Sequence, residues 1–450
     1  MGGTATLARF VAETSLEEIP EDAQVKAKEA IVDYVGVALY GSHHEVGETI
    51  SDYVDSALPG SDAQVLARET ASTPGAALAN GTFGHAIDYD DTFESIIIHP
   101  TSPVFAAAMA AGDHADASGA DVLAGYVIGV EVAYRTGHST YPSHYENGWH
   151  STGTVGSFGA AAAAASILDL STDEIRHAFG ITASGSSSLK KNFGTMTKPL
   201  HAGHAAQVGV RAALLAQNGF TADTNVFEET LGYGNVMTIG DTFDPSALTE
   251  KLGEEWAVSD IGYKPYPSGV ITHAAMDAMY EAVNEHDLTL DTVDSIVVTI
   301  DDAASEMLHH ENPSNALEAK FSIEFCLSTI LRERAAGIHE FTDEYVGTPE
   351  TKAAMKKVSR AFESNLFGQD FGNYGARIRI ETIDGEEIVV EERYAPGTPN
   401  NPVSAERLEA KFRECADTVL SADDVDGVLS ALNRLEADGM FEQFKTHASA

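Results

Sequence analysis

Cysteine is almost missing from the 450 residues: Cys326 and Cys415 are the only two. Two thiols cannot build a disulfide framework. Nor can they supply the three or four ligands of the usual single-chain iron–sulfur cluster. Basic residues are scarce too, with 27 Lys and Arg against 69 Asp and Glu and a formal net charge of −42. Such a chain repels phosphate backbones and anionic lipid headgroups, which argues against nucleic acid and membrane partners. No apolar run approaches the roughly 20 residues of a membrane span, and no signal-peptide pattern opens the sequence. A cytoplasmic location is expected. A dinucleotide fingerprint is lacking as well. Residues 76–85 are dense in alanine and glycine, but their spacing suggests closely packed helices and not a phosphate loop. No cofactor and no metal are therefore expected.

What is present is enough for a core. Hydrophobic residues make up 43% of the chain, and steady helical periodicity argues against disorder despite the charge. The acidic excess reads as a solvated shell that salt would relieve, an adaptation to a salty cytoplasm. Amphipathic helices open at residues 5–11 and again at Glu21, running to Gly41. Ser118 and the capping box of Ser171 and Glu174 start two more. The texture changes near residue 260. Residues 263–269 read as a linker, and 293–300 as a β-branched strand. Residues 319–326 begin a helix, and 377–382 with 387–391 form a hairpin around Asp384 and Gly385. Residues 396–402 read as a second linker. The expectation is a mainly α protein: a large all-helical domain over 1–265, a smaller α+β lid over 266–394, and helices over 395–450 that return to the first domain.

The chemistry concentrates in three places. Residues 194–207 carry Lys198, Pro199, His201 and His204. Pro199 disfavours helix at the lysine before it and suits the first turn of a helix. Thr197 is the expected N-cap. A loop lysine, free N–H groups and His201 would converge there on an anion such as a carboxylate. His85, Asp88, Asp90, Asp91, Thr92 and His99 fall in one short stretch, where an aspartate can fix a histidine tautomer. His150 follows Trp149 at the mouth of an alanine-rich helix.

In their order and spacing these pieces resemble the MmgE/PrpD family, which includes 2-methylcitrate dehydratases and cis-aconitate decarboxylases. The resemblance is carried by Asp88, Tyr89, Asp90, Asp91 and Thr92 with His99 and Pro100, by Trp149 to Thr154, and by Asn192 to Gly203. Tyr266 and Pro267 with Thr272 and His273, and then Ala319 to Ser322, complete it. It implies a helical domain with an α+β lid, a homodimer, and a cleft lined by Asp88, Thr92, His99, His150, Lys198 and His273. Two positions depart from it. Phe325 stands where the decarboxylases have a tyrosine, and His204 where an arginine is frequent. Both are kept as substrate-binding candidates beside Lys198 and His201.

The implied reaction is the dehydration of a small di- or tricarboxylate. It needs a base for a carbon-bound proton, an acid for the departing hydroxyl, and cations for the carbanion between them. His99 and His150 supply the acid and base, Asp88 orients one of them, and Lys198 and His273 hold negative charge. Decarboxylation and epimerisation pass through a similar carbanion. Two rival readings stand beside these. One is a metal-dependent hydrolase using His85, Asp88, Asp90, Asp91, His201 and His204. The other is a non-catalytic protein that keeps the fold.

Overall fold

The computed structural model describes residues 2–305, 307, 308, 310–368 and 374–449. The chain is mainly helical and forms two compact units. Met1–Ile261 and Ala405–Ala450 make the first, and Gly262–Ser404 the second. No helix among the described residues is long and apolar enough to cross a membrane.

The first unit is built around the helix Thr197–Gln217. It packs on Ser151–Ile167, Thr73–Gly84 and Thr101–Ala115. These helices are apolar nearly all round, which is the pattern of a buried helix. Ser151–Ile167, with its run of alanines, is buried along almost its whole length. Small residues let the backbones touch. A Cβ on Gly203 would lie 2.2 Å from the Leu78 carbonyl oxygen, so any larger residue would force the helices apart. The helix Gly119–Thr140 starts on the capping box of Ser118 and Asp121, and Thr172–Gly185 on that of Ser171 and Glu174. After the second unit the chain returns, and Ala405–Ala416 packs on Glu21–Ser42.

Two local expectations are corrected here. The first unit is not wholly helical, because Pro59–Gln64 and Thr70–Ala71 pair as a short antiparallel ladder. Lys198 is also not a loop residue. The helix begins at Thr197, with Met196 and not Thr197 at the N-cap. Lys198 and Pro199 thus lie within the first turn. There the first N–H groups have no intrahelical acceptor, so the proline removes nothing. Thr195 takes the capping role instead: its Oγ1 accepts from the Thr197 N–H at 3.2 Å, and its carbonyl from the Lys198 N–H at 3.0 Å.

The second unit is a four-stranded sheet covered by helices. Its strand order is Val358–Glu363, Val293–Asp301, Ala376–Thr382, Glu387–Glu392. The first two strands are parallel and the others antiparallel. Ile296, Val298 and Ile300 alternate onto the buried face with Ile378 and Ile380, the period-2 pattern of a half-covered sheet. The helices His273–Glu285 and Ile323–Glu333 pack there. The expected helix from residue 319 is two helices, Ala316–Ala319 and Ile323–Glu333, with Ser322 capping the second. The stretches expected as linkers meet, since the Tyr263 N–H donates to the Gly397 carbonyl at 2.8 Å.

Candidate active site

The loop after Thr73–Gly84 is folded by its own backbone. Phe93 and Ile98 exchange N–H···O bonds of 2.8 and 3.3 Å. That bridge closes a turn over residues 94–97, with Ile96 buried beneath it, and brings His99 back beside Asp88 to Asp91. Asp88 adopts a left-handed conformation at φ 58, which aspartate tolerates better than most residues. The start of Thr101–Ala115 then fixes two of the carboxylates. Ser102 Oγ donates to Asp90 at 2.6 Å, and the Thr101 N–H and hydroxyl both donate to Asp91. Carboxylates suit a helix N-terminus. Burial nonetheless raises the Asp91 pKa well above the ordinary carboxylate value; the Thr101 bond opposes this and the charge of Asp90 adds to it. The returning C-terminal segment pins the same loop. Lys411 Nζ donates to the Tyr89 carbonyl at 2.6 Å and pairs with buried Asp33 at 2.6 Å.

The charged centre joins residues far apart in sequence. Lys198 Nζ lies 2.7 Å from Asp88 Oδ2, and His99 Nε2 lies 3.7 Å from Asp88 Oδ1. The other nitrogen of His99 is 2.8 Å from the Asp91 carbonyl oxygen. That carbonyl can only accept, so His99 Nδ1 carries a proton. His85 Nδ1 pairs with Asp90 at 2.9 Å, and the rings of His85 and His99 lie 4.6 Å apart. Lys198, Asp88 and His99 are each less than a tenth exposed.

His150 forms the opposite wall. It is the N-cap of Ser151–Ile167. Its ring stacks over His85 at 5.8 Å and meets Phe193 edge-on at 4.9 Å. Lys198 Nζ sits 5.4 Å from the centre of the same Phe193 ring. Burial first, and then the nearby His85 and Lys198, push the His150 pKa well below the usual imidazole value. His150 is thus a neutral imidazole near neutral pH. Its Nδ1 is 3.0 Å from His201 Nδ1. Burial, with His85 and His204 nearby, lowers the His201 pKa to about 4.

Of the residues expected from sequence, Asp88, His99, His150 and Lys198 come together in the first unit. Thr92 is buried beside Asp91. His201 touches His150, and His204 Nε2 bonds the Gly185 carbonyl at 3.1 Å. His201 and His204 also border a cavity of about 730 Å³. His273 and Phe325 belong to the second unit. His273 starts the helix His273–Glu285, with Nε2 3.2 Å from the Ser268 carbonyl. Phe325 is fully buried against Phe341 and Tyr345, so in this arrangement it is a core residue.

Two residues outside the expected catalytic set belong to this centre, His85 and Asp90. Sequence reading weighed them only as metal ligands. The ligand atoms of His85, Asp88, Asp90 and His99 do lie within 4.8 Å of one another. Each residue already has a protein partner, while His85 Nε2 is a buried nitrogen with no hydrogen bond among the described residues. Asp90 is shared by His85 and Ser102, and Asp88 faces the Lys198 ammonium. The donors fit an internal ion-pair network better than a vacant coordination shell. The rest of the hydrolase set disperses: Asp91 turns to Thr101, His201 to His150 and His204 to Gly185.

Residues 5–246 match the MmgE/PrpD N-terminal domain, and residues 266–436 the MmgE/PrpD C-terminal domain. The chain is 27% identical to the cis-aconitate decarboxylase of Mus musculus, over 91% of this chain and 86% of that protein. Against the human protein of that name it is 27% identical, over 91% and 87%. Against that of Aspergillus terreus it is 26% identical, over 96% and 94%.

Proposed function

The chain belongs to the MmgE/PrpD family, and from that premise we propose that it is a cofactor-independent lyase of small di- or tricarboxylates, a hydro-lyase of the 2-methylcitrate dehydratase type. The observation that carries the reading is the buried Lys198 ammonium, 2.7 Å from Asp88, with His99 and His150 beside it. Dehydration of a 3-hydroxy acid creates negative charge next to a carboxylate. A positive group held in place before the reaction stabilises that charge without reorganising. His150 is the base, since a neutral imidazole has a lone pair to offer. His99, held by the Asp91 carbonyl and facing Asp88, delivers a proton to the departing hydroxyl. Asp88 orients Lys198 and His99. His273 remains part of the proposal as a residue that holds negative charge, as do the homodimer and the cytoplasmic location; Phe325, buried in the core of the second unit, does not.

Decarboxylation is the second reading, and the names of the relatives favour it. Mouse, human and A. terreus proteins at 26–27% identity are cis-aconitate decarboxylases. Losing carbon dioxide instead of a proton leaves the same kind of carbanion, which Lys198 would stabilise in the same way. The protein should be offered hydroxy- and unsaturated di- and tricarboxylates, 2-methylcitrate and cis-aconitate among them, at high salt. Loss of water from 2-methylcitrate, seen as new ultraviolet absorbance with no gas, is expected. Carbon dioxide release from cis-aconitate would select the second reading. No turnover of any member would overturn the lyase assignment.

Chelation separates this chemistry from the hydrolase. Exhaustive chelation should leave turnover within about twofold of the untreated protein, because Lys198 already supplies the positive charge. Loss of activity that one divalent ion restores would contradict the proposal.

A further inference from the structure

His150 and His201 face each other through the same kind of atom, Nδ1 to Nδ1 at 3.0 Å. Two imidazole nitrogens at that distance need one proton between them, so one ring donates and the other accepts. Both rings are carried by helix starts that pack together. His150 caps Ser151–Ile167, and His201 lies near the beginning of Thr197–Gln217. Gly153 lies between them, where a Cβ would stand 3.1 Å from His201 Cβ and would collide first with the Ser188 side chain. The charged and titratable groups acting on the pair are His85, His99, Lys198 and His204. Burial first, and then these groups, oppose added positive charge on either ring.

We propose that His201 is a positioning residue for His150: its Nδ1 accepts the His150 Nδ1–H and so presents His150 Nε2 as the unprotonated nitrogen. The inference rests on reading His150 as the base. Its direction follows from what happens during proton transfer. A base that takes the substrate proton on Nε2 becomes an imidazolium with N–H on both nitrogens. With His201 accepting, the bond survives and becomes charge-assisted. With His201 donating, the His150 proton would already sit on Nε2 and its one lone pair would face His201, leaving no nitrogen to take the substrate proton. The His201 proton therefore sits on Nε2. Unlike the carboxylate that supports many catalytic histidines, this neutral acceptor orients the base without raising its proton affinity by a full charge.

The test compares wild type, His201→Asn, His201→Leu and His150→Asn. Asparagine can place its amide oxygen where His201 Nδ1 stands; leucine has no acceptor. In 15N-histidine-labelled wild type, His150 should show one tautomer, protonated on Nδ1. His201→Leu should show a mixture, and His201→Asn should restore the wild-type state. With 2-methylcitrate and cis-aconitate as substrates, His201→Leu should lower kcat about 10–100-fold with KM little changed, the usual scale for an orienting partner. His201→Asn should recover most of that loss. A wild-type His150 protonated on Nε2, or an unchanged tautomer in His201→Leu, would overturn the inference. If His150→Asn keeps its rate while the tautomer shift appears, the base assignment fails and the positioning contact stands.

Discussion

Lys198→Ala should turn over roughly 100- to 1000-fold more slowly than wild type. That corresponds to about 3–4 kcal/mol of transition-state stabilisation, the scale for one preorganised charge-stabilising group. The loss should fall on kcat, because the ammonium faces charge that develops only as the carbanion forms. Lys198→Arg should recover part of it. A planar fork keeps the charge but cannot take the place of a compact ammonium 2.7 Å from Asp88. The fold should also suffer. Read from sequence, Lys198 is a solvated loop residue whose loss would cost less than about 0.5 kcal/mol. In the structure it is 8% exposed and paired. Removing one partner of a buried pair strands the other and costs about 3–5 kcal/mol. A thermal melt beside the kcat measurement should show a clear drop. Wild-type turnover in Lys198→Ala would mean that this centre does not perform the chemistry.

His99→Asn and His150→Asn should each lose about two to four decades in kcat, the range that a positioned acid or base contributes. Asparagine retains a polar side chain but cannot take or give a proton near pH 7. For His150 the expectation follows from its environment. Full burial beside His85 and Lys198 holds it neutral, so it loses a lone pair on substitution and not a charge. For His99, Nδ1–H is held by the Asp91 carbonyl, so the proton it delivers is the one on Nε2, on the side of the ring that faces Asp88. The double variant should be little slower than the worse single one, as for groups that act in one step. Independent, multiplicative losses would place the two histidines in separate steps.

The fold was most legible where contacts are local. Ser118 and Ser171 start helices through side-chain bonds spanning three residues. Asp384 and Gly385, with Gly385 at φ 84, close a hairpin whose strands are neighbours in sequence. The strand Val358–Glu363 was missed because its partner lies 62 residues earlier, with Ile296 opposite Val358. Its own sequence holds two charges among six residues. Pro59–Gln64 was hidden by its proline and glycine, which mark turns more often than strands.

The site divides in the same way. Asp88 and His99 share one loop, so their meeting could be anticipated. Nothing local says that Lys198 leaves solvent to pair with Asp88, or that His201 meets His150 across 51 positions. His85 reads as a metal ligand in sequence, which shows ligand types but not that His85 Nδ1 meets Asp90, that Ser102 bonds Asp90 or that Lys198 pairs with Asp88. Phe325 was selected by comparison with a tyrosine, whereas its ring packs in the core of the second unit.

The most direct measurement of the central claim is kcat for the double variant Lys198→Met/Asp88→Asn, taken beside its thermal melt. Replacing both members of a buried pair with neutral groups of similar size removes the stranded charge and is often neutral for stability. The melt should therefore return close to wild type while kcat stays at least about 100-fold down, because the ammonium is still missing. A variant that melts like wild type and also turns over like wild type would show that Lys198 and Asp88 only hold the helix start to the loop, and would contradict the assignment of this centre to catalysis.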